Sequence, residues 1–204
     1  MGNLPALTSG YITFGSFNNF AKVSPEVMEL WANILNAMPD SRLILKAKSF
    51  SDRSTCEYIR DVFNQRGVSE ERIELLSQKP SARGHLDTYN RIDIGLDTFP
   101  YNGTTTTCEA IWMGVPVITL AGNTHASRVG MSLLSNVGCQ ELIAGTSVEY
   151  IETACTLAGD LKRLQALRER LRHMMSHSPL TDENSFITQL GKCYQMIWKD
   201  WCNS

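Results

Sequence analysis

The chain has 204 residues, 43% hydrophobic and 20% charged, with a formal net charge of −2 at pH 7. These values describe an ordinary globular protein able to bury an adequate core, and they exclude a broadly basic surface for nucleic acid or anionic membrane. No apolar run reaches membrane-spanning length, and MGNLPALTSG lacks the charged and apolar regions of a signal peptide, so cytoplasmic placement is expected.

Residues 1–10 are polar and aperiodic around Pro5, and read as a linker or chain end. A first strand follows at residues 11–14, then a loop to Asn19. Ser24 and Pro25 have the N-cap and first-turn chemistry for the helix EVMELWANILNAMP. Lys22 is therefore held near the carboxyl end of a strand, where open α/β sheets bind ligands, and it reads either as a solvated lysine or as the counter-charge of a diphosphate. Leu43 to Leu45 give a second strand, with Lys46 and Lys48 at its outer end facing either the cleft or solvent, of which solvent is expected. A helix from about residue 52 to 66 ends at Gly67, and a third strand covers 72–76. In SQKPSARGHLDTYNR, Pro80 and Gly84 mark a loop, and a short helix follows with His85 near its start.

Ile92, Ile94 and Leu96 then form a buried strand that ends at Asp97. Pro100, Asn102 and Gly103 turn the chain into Thr104–Thr105–Thr106–Thr107, and Cys108 to Met113 have helical apolar spacing that Gly114 and Pro116 stop. Branching at Cβ makes threonine a poor helix interior, but its hydroxyl suits a first turn, where it caps free N–H groups. The run either only caps the helix or also seats an anionic phosphate at the positive end of the helix dipole. It lacks both the Gly-Lys-Ser/Thr ending of a P-loop and G-x-G-x-x-G spacing.

After a strand at 117–120, Gly122 and Asn123 form a turn, and Thr124 is expected to cap a helix over residues 125–136. His125 and Arg128 at its start either meet a sugar or phosphate or fix the loop by hydrogen bonds. A short last strand over 139–144 leads to helices from residue 147 onward. Leu161, Leu164, Leu167 and Leu171 form a stripe flanked by solvated arginines, and Phe186, Leu190, Tyr194, Ile197 and Trp198 line one side of the closing helix, a stripe that calls for a partner surface. The six cysteines, at 56, 108, 139, 155, 193 and 202, have no metal or disulfide spacing and read as small buried apolar residues. Strands alternating with helices indicate an α/β fold, a Rossmann-like doubly wound parallel sheet with C-terminal helices.

The stretch LDTFPYNGTTTTCEAIWMGVPVITLAG resembles the nucleotide-sugar site of the protein O-GlcNAc transferase family, and FPY and TTTTCE are similar to its Spindly-type branch. The resemblance runs from about Tyr11 to the chain end but matches only the carboxyl-terminal half of that family's catalytic region. It implies that residues 11–204 form the donor-binding lobe of a GT-B glycosyltransferase, cut from a longer protein whose other lobe and tetratricopeptide repeats hold the proposed base and the acceptor protein. The implied reaction is inverting, metal-independent transfer of GlcNAc or a related sugar to Ser or Thr, with UDP-GlcNAc or GDP-fucose as donor and no cofactor.

In the family's FNN-x-x-K context the lysine, here Lys22, contacts the diphosphate and supports catalysis, with Asn19 close to the same phosphates. The resemblance further implies that His85 reaches the nucleotide-sugar, that Thr104, Thr105 and Thr106 stabilise the diphosphate, and that Glu109 accepts ribose hydroxyls where the family has aspartate. Ala82 and Thr88 stand where family members carry a lysine and an arginine, so that part of the clamp is missing or is supplied by Arg83. The competing readings are a non-catalytic nucleotide-binding or docking module and a nucleotide-sugar epimerase of the same fold.

Overall fold

The computed structural model describes residues 2–79 and 81–203, so Met1 of the expected linker and Pro80 of the expected loop lie outside the described residues. Among the described residues the alternating apolar segments form six parallel strands: β1 (Thr13–Ser16), β2 (Arg42–Lys46), β3 (Ile73–Leu76), β4 (Ile94–Leu96), β5 (Val117–Leu120) and β6 (Ile143–Ala144). Their order across the sheet is β3-β2-β1-β4-β5-β6. This is the doubly wound arrangement expected from the sequence, and its winding reverses between β1 and β4. Gly15 faces Gly95 across that pair. A Cβ on Gly15 would stand 2.6 Å from Ile92 Cγ2, so glycine is what lets the chain pass there.

The helices are α1 (Ala6–Ser9), α2 (Pro25–Ala37), α3 (Arg53–Asn64), α4 (Ala82–Asp87), α5 (Thr105–Trp112), α6 (Val129–Val137), α7 (Ser147–Gly159), α8 (Leu161–Ser176) and α9 (Glu183–Asn203). Ser24 caps α2 by accepting from Val27 N–H, as its sequence context predicts, and Asp52 caps α3 through Thr55 N–H at 2.8 Å. Alternation along the strands divides the core. Leu43 and Leu45 join a larger cluster with Trp31, Leu35, Phe63 and Leu164, whereas Ile44 joins a smaller one with Phe17, Tyr89, Ala110 and Met113.

Several expectations are corrected by this packing. The segment before Gly10 is not a bare linker: it contains α1, buries Leu4 and Ala6, and is held by Asp93, which accepts from Ala6 and Thr13 N–H. Arg168 is not a solvated arginine of α8, because it is 2% exposed and donates to the Ile92 and Gly2 carbonyls close to Asp93. The helix expected from residue 125 begins only at Val129, since Thr124 and Ser127 hydrogen-bond each other in a tight turn rather than capping it. The last strand is reduced to two residues after a 3-10 turn, Gln140–Leu142. Among the free cysteines Cys139 is buried, but Cys193 and Cys202 are exposed on α9, none of whose side chains is buried.

Candidate functional site

At the carboxyl ends of β1 and β4 the sheet's two halves diverge, and the loops that leave them form one hydrogen-bonded unit. Asp97, the residue directly after β4, is fully buried. Its Oδ1 accepts from Gly103 N–H at 2.7 Å, Thr98 N–H at 2.9 Å and Asn18 Nδ2 at 3.3 Å, and its Oδ2 accepts from Thr119 Oγ1 at 2.8 Å. Burial pushes the carboxyl pKa up to about 6, with these donors opposing the shift. Asn102 completes the turn by donating to the Thr98 carbonyl and accepting from Gly130 N–H. The main chain at Asp97 is anchored from the core, where Tyr150 OH donates to its carbonyl and accepts from Trp31 Nε1.

This turn aims the chain into α5. Thr104 occupies the N-cap position but makes no side-chain cap, which corrects the expectation that these hydroxyls close the helix end. The hydroxyl of Thr106 instead donates to Asn18 Oδ1 at 2.6 Å. Because Asn18 must present its NH2 group to Asp97, its oxygen is left for Thr106, and a relay joins Asp97, Asn18 and Thr106. Thr107 is buried, whereas Thr104 and Thr105 are exposed.

Lys22 ends a 3-10 turn, Phe20–Lys22, just beyond β1. Its Nζ donates to the Asn102 carbonyl at 2.9 Å and lies 3.8 Å from the centre of the Tyr101 ring. Desolvation lowers its pKa, and the charge of Asp97 partly opposes this. A lysine from the first half of the sheet is thereby fixed to the loop that leads into α5.

On the other side of α5, Glu109 Oε2 accepts from Tyr89 OH at 3.1 Å and lies 2.8 Å from His85 Nε2. Tyr89 is also within reach of the Thr106 carbonyl, at 3.2 Å. Lys46 belongs to the same group, contrary to its expected solvent orientation. It is 3% exposed, donates to the His85 carbonyl at 2.9 Å and stands 4.1 Å from the centre of the Phe17 ring. Desolvation brings its pKa down to about 8 against the attraction of Glu109.

Lys22, Thr104, Thr105, Thr106, His85 and Glu109 are thus gathered around the start of α5, together with Asn18, Asp97, Tyr89 and Lys46, which the sequence did not single out. Asn19 is exposed beside them, and its side chain accepts from Ala21 N–H. Arg83 is exposed on α4. His125 and Arg128 are exposed on the turn before α6, which meets the site loop where Asn102 N–H donates to the Ala126 carbonyl.

A cavity of about 300 Å3 between the ends of β1 and β2 is lined by Phe17, Asn18, Asn19, Lys46 and His85. A larger one, about 580 Å3, opens at the amino ends of β1, β2 and β3. There Arg72 is occupied by the Leu35, Met38 and Ser41 carbonyls and Arg91 by Glu74, and ligands of parallel sheets gather at the opposite edge. Among the described residues no group of three His, Cys, Asp or Glu side chains is placed to hold a metal ion, and no helix is long and apolar enough to cross a membrane.

The sequence profile of glycosyl transferase family 41 matches residues 3–190. A tomato (Solanum lycopersicum) protein named probable UDP-N-acetylglucosamine–peptide N-acetylglucosaminyltransferase SPINDLY is 45% identical over 199 residues, which is 98% of this chain but only 21% of that protein. An O-GlcNAc transferase mutant of Thermobaculum terrenum superposes with a TM-score of 0.90 at 45% identity, covering 95% of this chain and 37% of its own. The Anabaena protein HepE, solved with UDP and glucose, is alike in fold alone, with a TM-score of 0.63 at 15% identity over 92% of this chain and 51% of its own.

Proposed function

The chain belongs to glycosyl transferase family 41, and from that membership we propose that it is the nucleotide-sugar-binding lobe of an inverting protein O-glycosyltransferase. The lobe comprises residues 11–204, including the C-terminal helices from about 147, together with the preceding segment whose Leu4 and Ala6 pack into its core. The observation that carries the reading is the convergence of Lys22 and the N-terminus of α5 on the β1/β4 switch point, where a doubly wound sheet binds its ligand.

In this reading the diphosphate lies against the first-turn N–H groups of α5, which have no acceptor within the helix, and the helix dipole favours its charge. Thr104 and Thr105 are free to add hydroxyl donors. Thr106 contributes its N–H, since its hydroxyl proton is committed to Asn18. Lys22 exchanges the Asn102 carbonyl for the diphosphate. When the acceptor Ser or Thr oxygen attacks the sugar's anomeric carbon, the bond from that carbon to the diphosphate breaks and its electron pair leaves with the phosphate. Lys22 and α5 stabilise the charge that develops there without a metal. The hydroxyl proton passes to a base supplied from outside this lobe.

Glu109 reads the ribose. Its Oε2 is tied to Tyr89 and His85, and among the described residues Oε1 has no hydrogen-bond partner, so one oxygen fixes the side chain while the other accepts ribose hydroxyls. His85 faces the nucleoside from α4. The donor we propose is UDP-GlcNAc and the acceptor a peptide segment of a protein, on the wording of the tomato relative's name. The tetra-threonine run resembles the Spindly-type branch, for which that resemblance implies a GDP-fucose donor, and it supports GDP-fucose as a second reading. Sugar transfer to an acceptor peptide by the longer protein that contains this lobe tests the assignment. Lys22→Ala should abolish turnover, and unchanged turnover would remove Lys22 from the chemistry.

A further inference from the structure

Lys46 is a buried cation to which, among the described residues, no carboxylate is bonded. It ends β2 with its Nζ donating to a main-chain carbonyl, that of His85, over the faces of Phe17 and Tyr89 at 4.1 and 5.4 Å from their centres. An ammonium so placed is costly unless its charge does something that a methyl group would not. Its neighbours indicate what that is. Lys46 holds the backbone of α4 at the same residue whose ring meets Glu109, so His85 is gripped by its carbonyl from β2 and by its imidazole from α5. Glu109 is also the group whose attraction opposes the desolvation of Lys46.

We propose that Lys46 is a positioning residue of the donor site, whose positive charge neutralises Glu109 beside the diphosphate and holds α4 where His85 and Glu109 together recognise the nucleoside. The inference rests on the donor-lobe reading and adds a residue to it. A nucleoside laid over Glu109 removes water from its carboxylate, and a nearby ammonium offsets that loss, whereas an inorganic diphosphate leaves Glu109 hydrated. Lys22 and α5 serve the phosphates. Lys46, on the opposite side of α5, serves Glu109.

The groups that act on Lys46 are Glu109 from α5 and the Lys79 ammonium from the loop before α4. The other side chains around it are the His85 imidazole of α4 and the Tyr89 phenol, whose pKa is raised by burial and by Glu109. With the Lys46 pKa near 8, its charge is present at neutral pH and is lost as the pH rises through that value. Lys22 is also desolvated, which lowers its pKa, and it faces the phosphates of either ligand, so its effect is common to nucleotide and pyrophosphate. Inorganic pyrophosphate, which has no ribose, reports Lys22 alone.

The test is calorimetric titration of the 204-residue chain and its Lys46→Met and Lys46→Arg variants with UDP, GDP and inorganic pyrophosphate between pH 7 and 9.5. At pH 7 Lys46→Met should bind the preferred nucleotide about tenfold more weakly and pyrophosphate within about twofold of wild type, a loss the size of one charge-assisted contact. The ratio of wild-type to Met-variant nucleotide affinity should fall toward one by pH 9.5, while Lys46→Arg, charged throughout, keeps its preference for nucleotide over pyrophosphate. Equal losses for nucleotide and pyrophosphate, or a wild-type to variant ratio that is flat with pH, would overturn the role of Lys46 and leave the donor lobe standing. Should neither variant fold, a wild-type preference for nucleotide over pyrophosphate that is constant across this range overturns it as well. Absence of nucleotide binding by the wild-type chain overturns both readings.

Discussion

Lys22 and Asp97 set the electrostatics of the switch point from opposite sides of one loop. The Lys22 ammonium donates to the loop's Asn102 carbonyl, and the Asp97 carboxylate accepts from the same loop at Gly103. Removing the ammonium with Lys22→Ala should weaken pyrophosphate and nucleotide alike by about 10- to 100-fold, the effect of a charge-assisted hydrogen bond, and equal affinities for variant and wild type would contradict it. Asp97 makes a pH prediction. Its folded pKa, near 6, lies above the ordinary carboxylate value, so its contribution to stability is complete below about pH 4 and is lost as the pH rises to 6. The advantage of wild type over Asp97→Asn in urea unfolding should therefore shrink by about 3 kcal/mol between pH 4 and 7. A difference between the two that does not change with pH would refute this.

These residues were legible to different degrees. A strand end and a helix cap bracket Lys22 in sequence, but they fit a solvated lysine equally well, and only the family resemblance assigns it to the diphosphate. Asn18 and Asn19 are adjacent in an aperiodic loop, and nothing local indicates that Asn18 turns inward while Asn19 caps its own turn. The partner that selects Asn18 is Asp97, 79 residues away. Lys46 was misread because only its place after an apolar strand was visible. Alternation puts it on the face of Ile44, and that face is covered by the short α4–Tyr89 segment, whose docking no local pattern encodes.

At the scale of the element, α5 is built from its first turn outward. A Cβ on Gly103 would stand 2.7 Å from Asn18 Oδ1, Thr106 Oγ1 and Thr107 Oγ1. Gly103→Ala should therefore break the relay, destabilise the chain by about 1–3 kcal/mol and lower pyrophosphate affinity with it. An alanine variant with wild-type stability and affinity would mean that the turn does not shape the site. Glu109→Ala acts one turn further along and should weaken UDP or GDP more than pyrophosphate, whereas equal losses would remove its ribose role. The sequence foretold the helix and its threonine start but not what the threonines do, because Cβ-branching and cap preference describe a backbone in water. Here a buried asparagine takes the hydroxyl of Thr106.

At the scale of the molecule, the parallel order, the reversal at β1/β4 and most helices follow from apolar periodicity. The ends of the chain do not. Leu4 and Ala6 are too few to give a pattern, and their burial depends on Asp93 and the neighbourhood of Arg168, which are distant in sequence. The stripe on α9 was visible, and the structure leaves Phe186, Tyr194, Ile197 and Trp198 each more than 60% exposed. Since α9 buries no side chain, a chain lacking residues 183–203 should melt within about 2 °C of the full one by circular dichroism. A larger drop would show that the helix stabilises the lobe.

The central claim, a donor lobe organised at the switch point, is tested most directly by calorimetric titration of this chain with UDP, GDP, UDP-GlcNAc and GDP-fucose in the absence of metal. The account predicts saturable binding of UDP and UDP-GlcNAc that Lys22→Ala weakens, and binding of the GDP pair instead would keep the lobe and change its donor. No saturable binding of any of the four would contradict it.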